Sequence, residues 1–170
     1  MAHLVLTVVG DDRAGLVSAL ARVIAEHGGN WEQSELAELA GAFAGIVLVS
    51  IDDDRMPALT DALNGLDGLL RVTAHGAQAS DSPADDSRRV SFTVLGNDRP
   101  GIVRDLTGTI AEHALSIDSL RSRTLEAPMA GGLLFEATVS VSLSADQDAA
   151  GLTTALEALA DEIQVDLTVD

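Results

Sequence analysis

The amino-acid sequence predicts an α+β protein made of two βαββαβ units, each an antiparallel four-stranded sheet with two helices on one face. Three observations predict it. Sliding the chain by 86 positions superposes Leu4–His27 on Val90–His113 with 12 identities in 24 positions, so the chain repeats itself. Gln78–Ser87, between the copies, is rich in Ser, Asp and Ala around Pro83 and cannot bury apolar surface. Within each copy the apolar period changes from two to 3.6 and back in a fixed order. The expected organisation of the 170 residues is a domain at 1–78, a linker at 79–87 and a domain at 88–170. Domains this small are near the lower limit of what folds alone and gain by pairing.

The second copy shows the order best. Val90, Phe92 and Val94 alternate with Arg89, Ser91 and Thr93, the pattern of a half-buried strand. Ile102, Val103, Leu106 and Ile110 recur at three and four, predicting a helix that opens with Pro100 at its first position. Ile117–Glu126, rich in Ser, Thr and β-branched positions, and Leu133–Leu143, which alternates throughout, flank Pro128 and Gly131-Gly132 and predict a hairpin. Leu152, Leu156 and Leu159 stripe a second helix, and Ile163, Val165, Leu167 and Val169 alternate in a last strand. The outer face of this sheet is expected to be polar but small, with Thr93, Thr138, Ser140 and Ser142.

The first copy reads as strand His3–Gly10, helix Ala14–His27, strand Gly45–Asp52, helix Arg55–Asn64 and strand Leu69–His75. Trp31–Ala40 is rich in helix formers, and propensity alone favours a helix there. The repeat places a strand at that position, and packing overrides propensity on an edge strand, so a strand is expected. The resulting βαββαβ order is the split βαβ, or ferredoxin-like, arrangement.

Charge excludes several functions. Ten cations, all Arg, face 27 acids, for a formal net charge of −17. The excess is spread, with 4 Arg and 11 acids in residues 1–79 and 6 Arg and 16 acids in residues 80–170. Such a surface repels phosphate backbones and anionic lipid, so neither direct nucleic-acid binding nor membrane binding is expected. The absence of Cys removes disulfides, thiolate metal sites and thiol nucleophiles. Leu4–Val9 is too short and wrongly flanked for a signal peptide, and Ala42–Val49 is far below the roughly 18 residues of a membrane helix. A soluble cytoplasmic protein is expected.

Catalytic and metal-binding patterns are missing. No G-x-S-x-G elbow occurs, and carboxylate pairs discriminate nothing among 27 acids. His27 and His113 end the first helix of each copy without H-x-x-H or H-x-H spacing, and are expected to complement the helix C-terminus rather than bind metal. His3 and His75 are expected to be isolated, exposed strand residues. Asp52-Asp53-Asp54 lacks the alternation, Gly and distal Glu of a calcium loop and is expected to cap the second helix. No enzyme, cofactor or metal is expected.

The candidates for chemistry are the two strand-to-helix turns, Gly10-Asp11-Asp12-Arg13-Ala14-Gly15 and Gly96-Asn97-Asp98-Arg99-Pro100-Gly101. Each leaves amides unpaired at a helix N-terminus, where the dipole favours an anion such as a carboxylate, and the glycines permit close approach. A plain capped helix start, with Asp12 and Asp98 as caps, is the structural alternative. Leu16-Val17 and Ile102-Val103 follow where a phosphate-binding loop needs Lys-Ser/Thr, so nucleotides have no anchor.

Asn-Asp-Arg-Pro-Gly-Ile-Val at Asn97–Val103, behind an alternating strand and before an amphipathic helix, resembles the signature of the ACT domain. Asp-Asp-Arg-Ala-Gly-Leu-Val at Asp11–Val17 resembles it too, with Ala14 in place of the proline. Two such units covering nearly the whole chain resemble the tandem-ACT regulators. The resemblance implies binding of a small amino acid, such as glycine or serine, at an interface between ACT units. It implies ligand-binding roles for Asp12, Arg13, Ala14, Gly15 and Leu16, with Asn30 and Trp31, in the first copy. In the second it implies Asn97, Asp98, Arg99, Pro100, Gly101 and Ile102, with Ser116, Ile117 and Asp118. It further implies a homodimer that alters its contacts with a protein partner such as a transcription regulator, without touching DNA.

Rival readings share the topology. An acylphosphatase-like hydrolase would use Arg13 or Arg99 with Asn30 to hold phosphate, but the expected glycine- and glutamine-containing turn is missing. An RNA-recognition sheet needs stacking aromatics, and 1 Trp, 3 Phe and no Tyr cannot supply them. A ligand-free protein-interaction module stays open. Arg121 and Arg123, two apart on one strand face, are expected to meet the protein's own acids.

Overall fold

The computed structural model describes residues 1–77, 88–128, 131–159 and 164–169. The chain divides into two compact units, Met1–Asp81 and Ser82–Asp170. The expected linker at 79–87 lies outside the described residues. The first unit runs β1 (Ala2–Asp11), α1 (Leu16–Glu26), β2 (Asn30–Leu39), β3 (Ala42–Ile51), α2 (Met56–Asn64) and β4 (Arg71–Gly76). The second runs β5 (Arg88–Asn97), α3 (Ile102–Glu112), β6 (Ile117–Glu126), β7 (Leu133–Leu143), α4 (Ala149–Glu157) and β8 (Gln164–Val169). Ile163, expected in the last strand, lies outside the described residues.

Each unit holds an antiparallel four-stranded sheet, in the orders β2-β3-β1-β4 and β6-β7-β5-β8. The segment with helix-forming composition is therefore a strand, β2, paired along β3 from Asn30 to Leu39. Both edge strands β2 and β6 carry a register shift near their start, at Trp31/Gln33 and Ile117/Ser119.

Period-two alternation puts one face of each sheet against the helices. Leu4, Leu6 and Val8 of β1 and Val47, Val49 and Ile51 of β3 pack with Leu16, Leu20 and Ile24 of α1 and Leu59 and Leu63 of α2. In the second unit Val90, Phe92 and Val94 pack with Val139 and Val141, Leu106 and Ile110, and Leu152 and Leu156. Each such side chain contributes about 1.5–3 kcal/mol by leaving water, opposed by chain entropy. The opposite faces differ in chemistry. That of the second unit carries Ser91, Thr93, Thr138, Ser140 and Ser142, with Ser91 and Ser140 hydroxyls 2.9 Å apart. That of the first carries Val5, Val9, Ile46 and Leu48, with Ile46 49% exposed.

Helix starts differ from the sequence expectation. Gly15 and Gly101 are the N-caps of α1 and α3, in the left-handed region with φ of 92° and 85°, and no side chain caps either helix. Asp12 and Asp98 lie three residues ahead of these caps, too far upstream to reach the first amides. The positive φ of Gly101 also keeps Pro100 out of the helix, so it belongs to the turn and not to the first helical position. The three aspartates before α2 do not cap it either. Arg55 holds the N-cap position, and its amide donates to the Asp52 carbonyl at 2.9 Å. α4 is the helix with a side-chain cap: the Asp148 carboxylate accepts from the Ala150 and Gly151 amides at 2.9 and 3.2 Å. Leu159 falls beyond α4 but packs on the same core.

His27 and His113 close the first helix of each unit. Each ring Nδ1 donates to the carbonyl four residues back, His27 to Val23 at 2.8 Å and His113 to Thr109 at 2.9 Å. These bonds satisfy C-terminal carbonyls that the helix leaves open. His3 is not isolated, since its Nε2 lies 3.6 Å from the Glu32 carboxylate on β2.

Candidate functional site

The β1–α1 turn is anchored by the Asp12 amide, which donates to the Gly41 carbonyl at the tip of the β2–β3 hairpin at 2.9 Å. The second turn repeats this, with the Asp98 amide on the Leu133 carbonyl at 2.9 Å. Asp12, Arg13, Ala14 and Gly15 are exposed, whereas Leu16 turns its side chain into the core and can offer a ligand only its amide. Ile102 is likewise buried, and its amide donates to the Arg99 carbonyl at 3.3 Å. The α1 ladder begins with the Ala19 amide on Gly15, leaving the preceding amides outside it.

The two turns diverge in their charge. In the second, Arg99 Nη1 donates to the Asp105 carboxylate at 2.7 Å, and Arg104 donates to the other oxygen through Nε at 3.0 Å and Nη2 at 2.9 Å. Asp105 lies in the first turn of α3, where the helix dipole favours an anion, so the protein supplies its own carboxylate there. Under the 86-residue shift Asp105 corresponds to Ala19 and Arg104 to Ser18, so the first unit has no such acid for Arg13.

The Arg99 bond, then the Arg104 bond, hold the Asp105 carboxyl below its ordinary value of 3.8. A carboxyl depressed in the folded state contributes stability that is present above the unfolded value and lost as pH falls through the folded one. The stability difference between the native chain and Asp105→Asn should therefore be constant at neutral pH and shrink below pH 3.8. Urea midpoints of both proteins at pH 7 and pH 3 measure it, and an equal difference at both would remove the ion pair as its cause.

Other nominated residues are dispersed. Asn30 is exposed at the start of β2, while Trp31 lies opposite Val49 and packs on the core. Asn97 ends β5 opposite Leu134, Pro100 and Gly101 are exposed in the turn, and Ser116 is exposed before β6. Ile117 packs on the second core, and Asp118 accepts from Ser142 Oγ at 2.7 Å with Arg89 at 3.8 Å. Arg123 Nε donates to Glu136 at 2.7 Å, so this arginine meets an acid of the protein itself.

The first turn opens on a cleft of about 400 Å³, within the range of small-molecule sites. Its walls come from the end of β1, the turn and the α2–β4 loop, and it includes Asp11, Arg13, Asp67 and Arg71. Arg13 is the nominated residue among its lining. No sequence motif marks Asp67, Gly68 and Arg71, since only the pairing of Val9 with Arg71 brings the loop to the turn. Among the described residues no three His, Cys, Asp or Glu side chains are grouped to hold a metal ion, and no helix is long and apolar enough to cross a membrane.

The ACT-domain pattern matches residues 2–76 and again residues 90–163, together most of the chain. The chain belongs to the ACT-domain family. The tandem ACT protein is similar to the glycine cleavage system transcriptional repressor of Escherichia coli (strain K12), with 29% identity over 95% of this chain and 85% of that one. The protein of the same description from Shigella flexneri matches to the same extent. Among solved structures, a protein of unknown function from Galdieria sulphuraria superposes with a TM-score of 0.86 and 29% identity, over 99% of this chain and 98% of that one. The similarity thus extends over both units of this chain. Membership in this family assigns a regulatory, ligand-binding role.

Proposed function

We propose that the tandem ACT protein senses a small amino acid and in response changes a contact with a protein partner, in the control of amino-acid metabolism. The reading is supported most by the first turn: α1 starts at a left-handed glycine with no side-chain cap, next to a ligand-sized cleft that holds both cationic and anionic side chains. Arg13 in its lining suits a carboxylate, and Asp11 or Asp67 suits the ammonium. The second turn is occupied by its own Asp105, which favours the first unit as the sensor. The similarity to a transcriptional repressor supports a transcription regulator as partner. A net charge of −17 supports a mode of action without direct DNA contact. The role is regulatory and not catalytic.

A thermal-shift panel of the twenty amino acids tests the reading. A ligand at 100 times its Kd stabilises by about 2.7 kcal/mol, which for a unit of this size is a rise of roughly 16 °C. One or a few amino acids should produce it. If none does, the chain is a ligand-free interaction module, a reading that the exposed Val9 and Ile46, with the half-buried Val5 and Leu48 beside them on the first sheet, would then carry.

A further inference from the structure

The cleft beside the first turn has a composition that specifies its ligand. Four charged residues line it, two cationic and two anionic: Arg13 from the turn, Arg71 from the start of β4, Asp11 from the end of β1 and Asp67 from the α2–β4 loop. In a chain with 10 Arg against 27 acids, two arginines on one small cleft are a local departure from the surface around them. Among the described residues neither Arg13 nor Arg71 enters an ion pair, unlike Arg99 and Arg104 in the second unit. A free anion would meet both aspartates and a free cation both arginines. A zwitterion satisfies both signs at once. The rest of the lining includes Val9 and Leu69, so the wall left for a side chain is aliphatic.

The cleft is a property of the first unit's fold and not of its turn alone. Gly10 lets the α2–β4 loop close over the end of β1: a Cβ there would stand 2.8 Å from the Leu69 carbonyl oxygen and 3.1 Å from Leu70 Cδ2. The loop itself turns at Gly68, with φ of 96°. Arg71 pairs with Val9, and the corresponding pair in the second unit is Leu95 with Gln164. The repeat therefore has a neutral residue where the first unit has the second cation.

We propose that this cleft, on the β4 side of the turn, binds an α-amino acid with an aliphatic side chain as its zwitterion. Arg13 and Arg71 hold the carboxylate, Asp11 and Asp67 hold the ammonium, and Val9 and Leu69 face the side chain. The proposal rests on the amino-acid-sensing reading and adds to it a location, a set of partners and a side-chain class.

Calorimetry on the full chain with L-leucine, L-valine, glycine and serine, and with two fragments of leucine, tests it. The fragments are 4-methylpentanoate, which lacks the ammonium, and isopentylamine, which lacks the carboxylate. Leucine or valine should bind and neither fragment should. Arg71→Gln, the residue the second unit carries, and Asp67→Asn should each weaken binding by about 10- to 100-fold, the effect of losing one charge-assisted bond. Arg123→Gln, which removes the same charge from the second unit, should leave it unchanged. Circular dichroism establishes that the variants are folded, as expected for exposed side chains. Binding of any amino acid that survives Arg71→Gln and Asp67→Asn unchanged overturns this site while leaving the sensing reading intact. Equal affinity for 4-methylpentanoate overturns the zwitterion. Absence of binding by every amino acid overturns both.

Discussion

Phe92→Ala is expected to destabilise the second unit by about 3–5 kcal/mol, the range for deleting a fully buried ring. Phe92 is 0% exposed and sits on β5, flanked by β7 and β8, so strands on both sides fix its surroundings. It is one of 3 Phe in the chain and sits in a core made mostly of Val, Leu, Ile and Ala, and surroundings that relax only in part leave a cavity where the ring was. A domain of about 80 residues has roughly 4–12 kcal/mol in total, so the loss removes a large share of it. Hydrogen exchange of the β5 and β7 amides should accelerate in proportion, and Phe92→Leu should recover most of the protection. A cost for Phe92→Ala under about 1 kcal/mol would mean that the core collapses around the gap, contrary to its interdigitated packing.

The fold was legible because the repeat and the alternation of period carry redundant information. Val90, Phe92 and Val94 and the helical spacing of Leu106 and Ile110 name the buried face from the sequence alone, and those residues form the core. β2 was legible only through the repeat, because its Glu and Leu content fits a helix when read alone, and pairing with β3 decides the outcome. The helix starts fall later than expected for a local reason: Asp and Pro in a turn favour a helix start, but a glycine that must adopt positive φ delays it by two or three residues. The cleft was not legible. Asp67 and Arg71 have no motif, and their relation to Arg13 exists only because the sheet order places β4 beside β1. Likewise, two turns with nearly the same residues differ in local charge because one neighbour, Asp105 in place of Ala19, pairs with the arginine of the second.

Gly45→Ala should cost roughly 2–3 kcal/mol, the upper part of the usual range for a single substitution, although it adds only a methyl group. Gly45 lies in β3 opposite Val8 on one side and Leu36 on the other, and β2 passes so close that a Cβ would stand 2.8 Å from Leu36 Cα and overlap the Glu35 carbonyl oxygen. Both are backbone atoms, so no change of rotamer relieves the clash, and strand must move from strand. β1 is held by β4 as well as β3, whereas β2 is an edge strand with one partner, so β2 is the strand that yields. The single Trp of the chain, Trp31, is on β2 and packs on the core, which makes its fluorescence a local reporter. A red-shifted emission and faster exchange of β2 amides, with β1 and β4 still protected, is the expected result. Gly41→Ala separates the two ways a glycine can be required. Gly41 has φ of 83° and nothing within 4 Å of an added Cβ, so its replacement carries conformational strain alone, about 1–2 kcal/mol, and should leave the Trp31 emission in place. If the two variants moved the tryptophan signal equally, the close approach of β2 to Gly45 would not be what holds the edge of the first sheet.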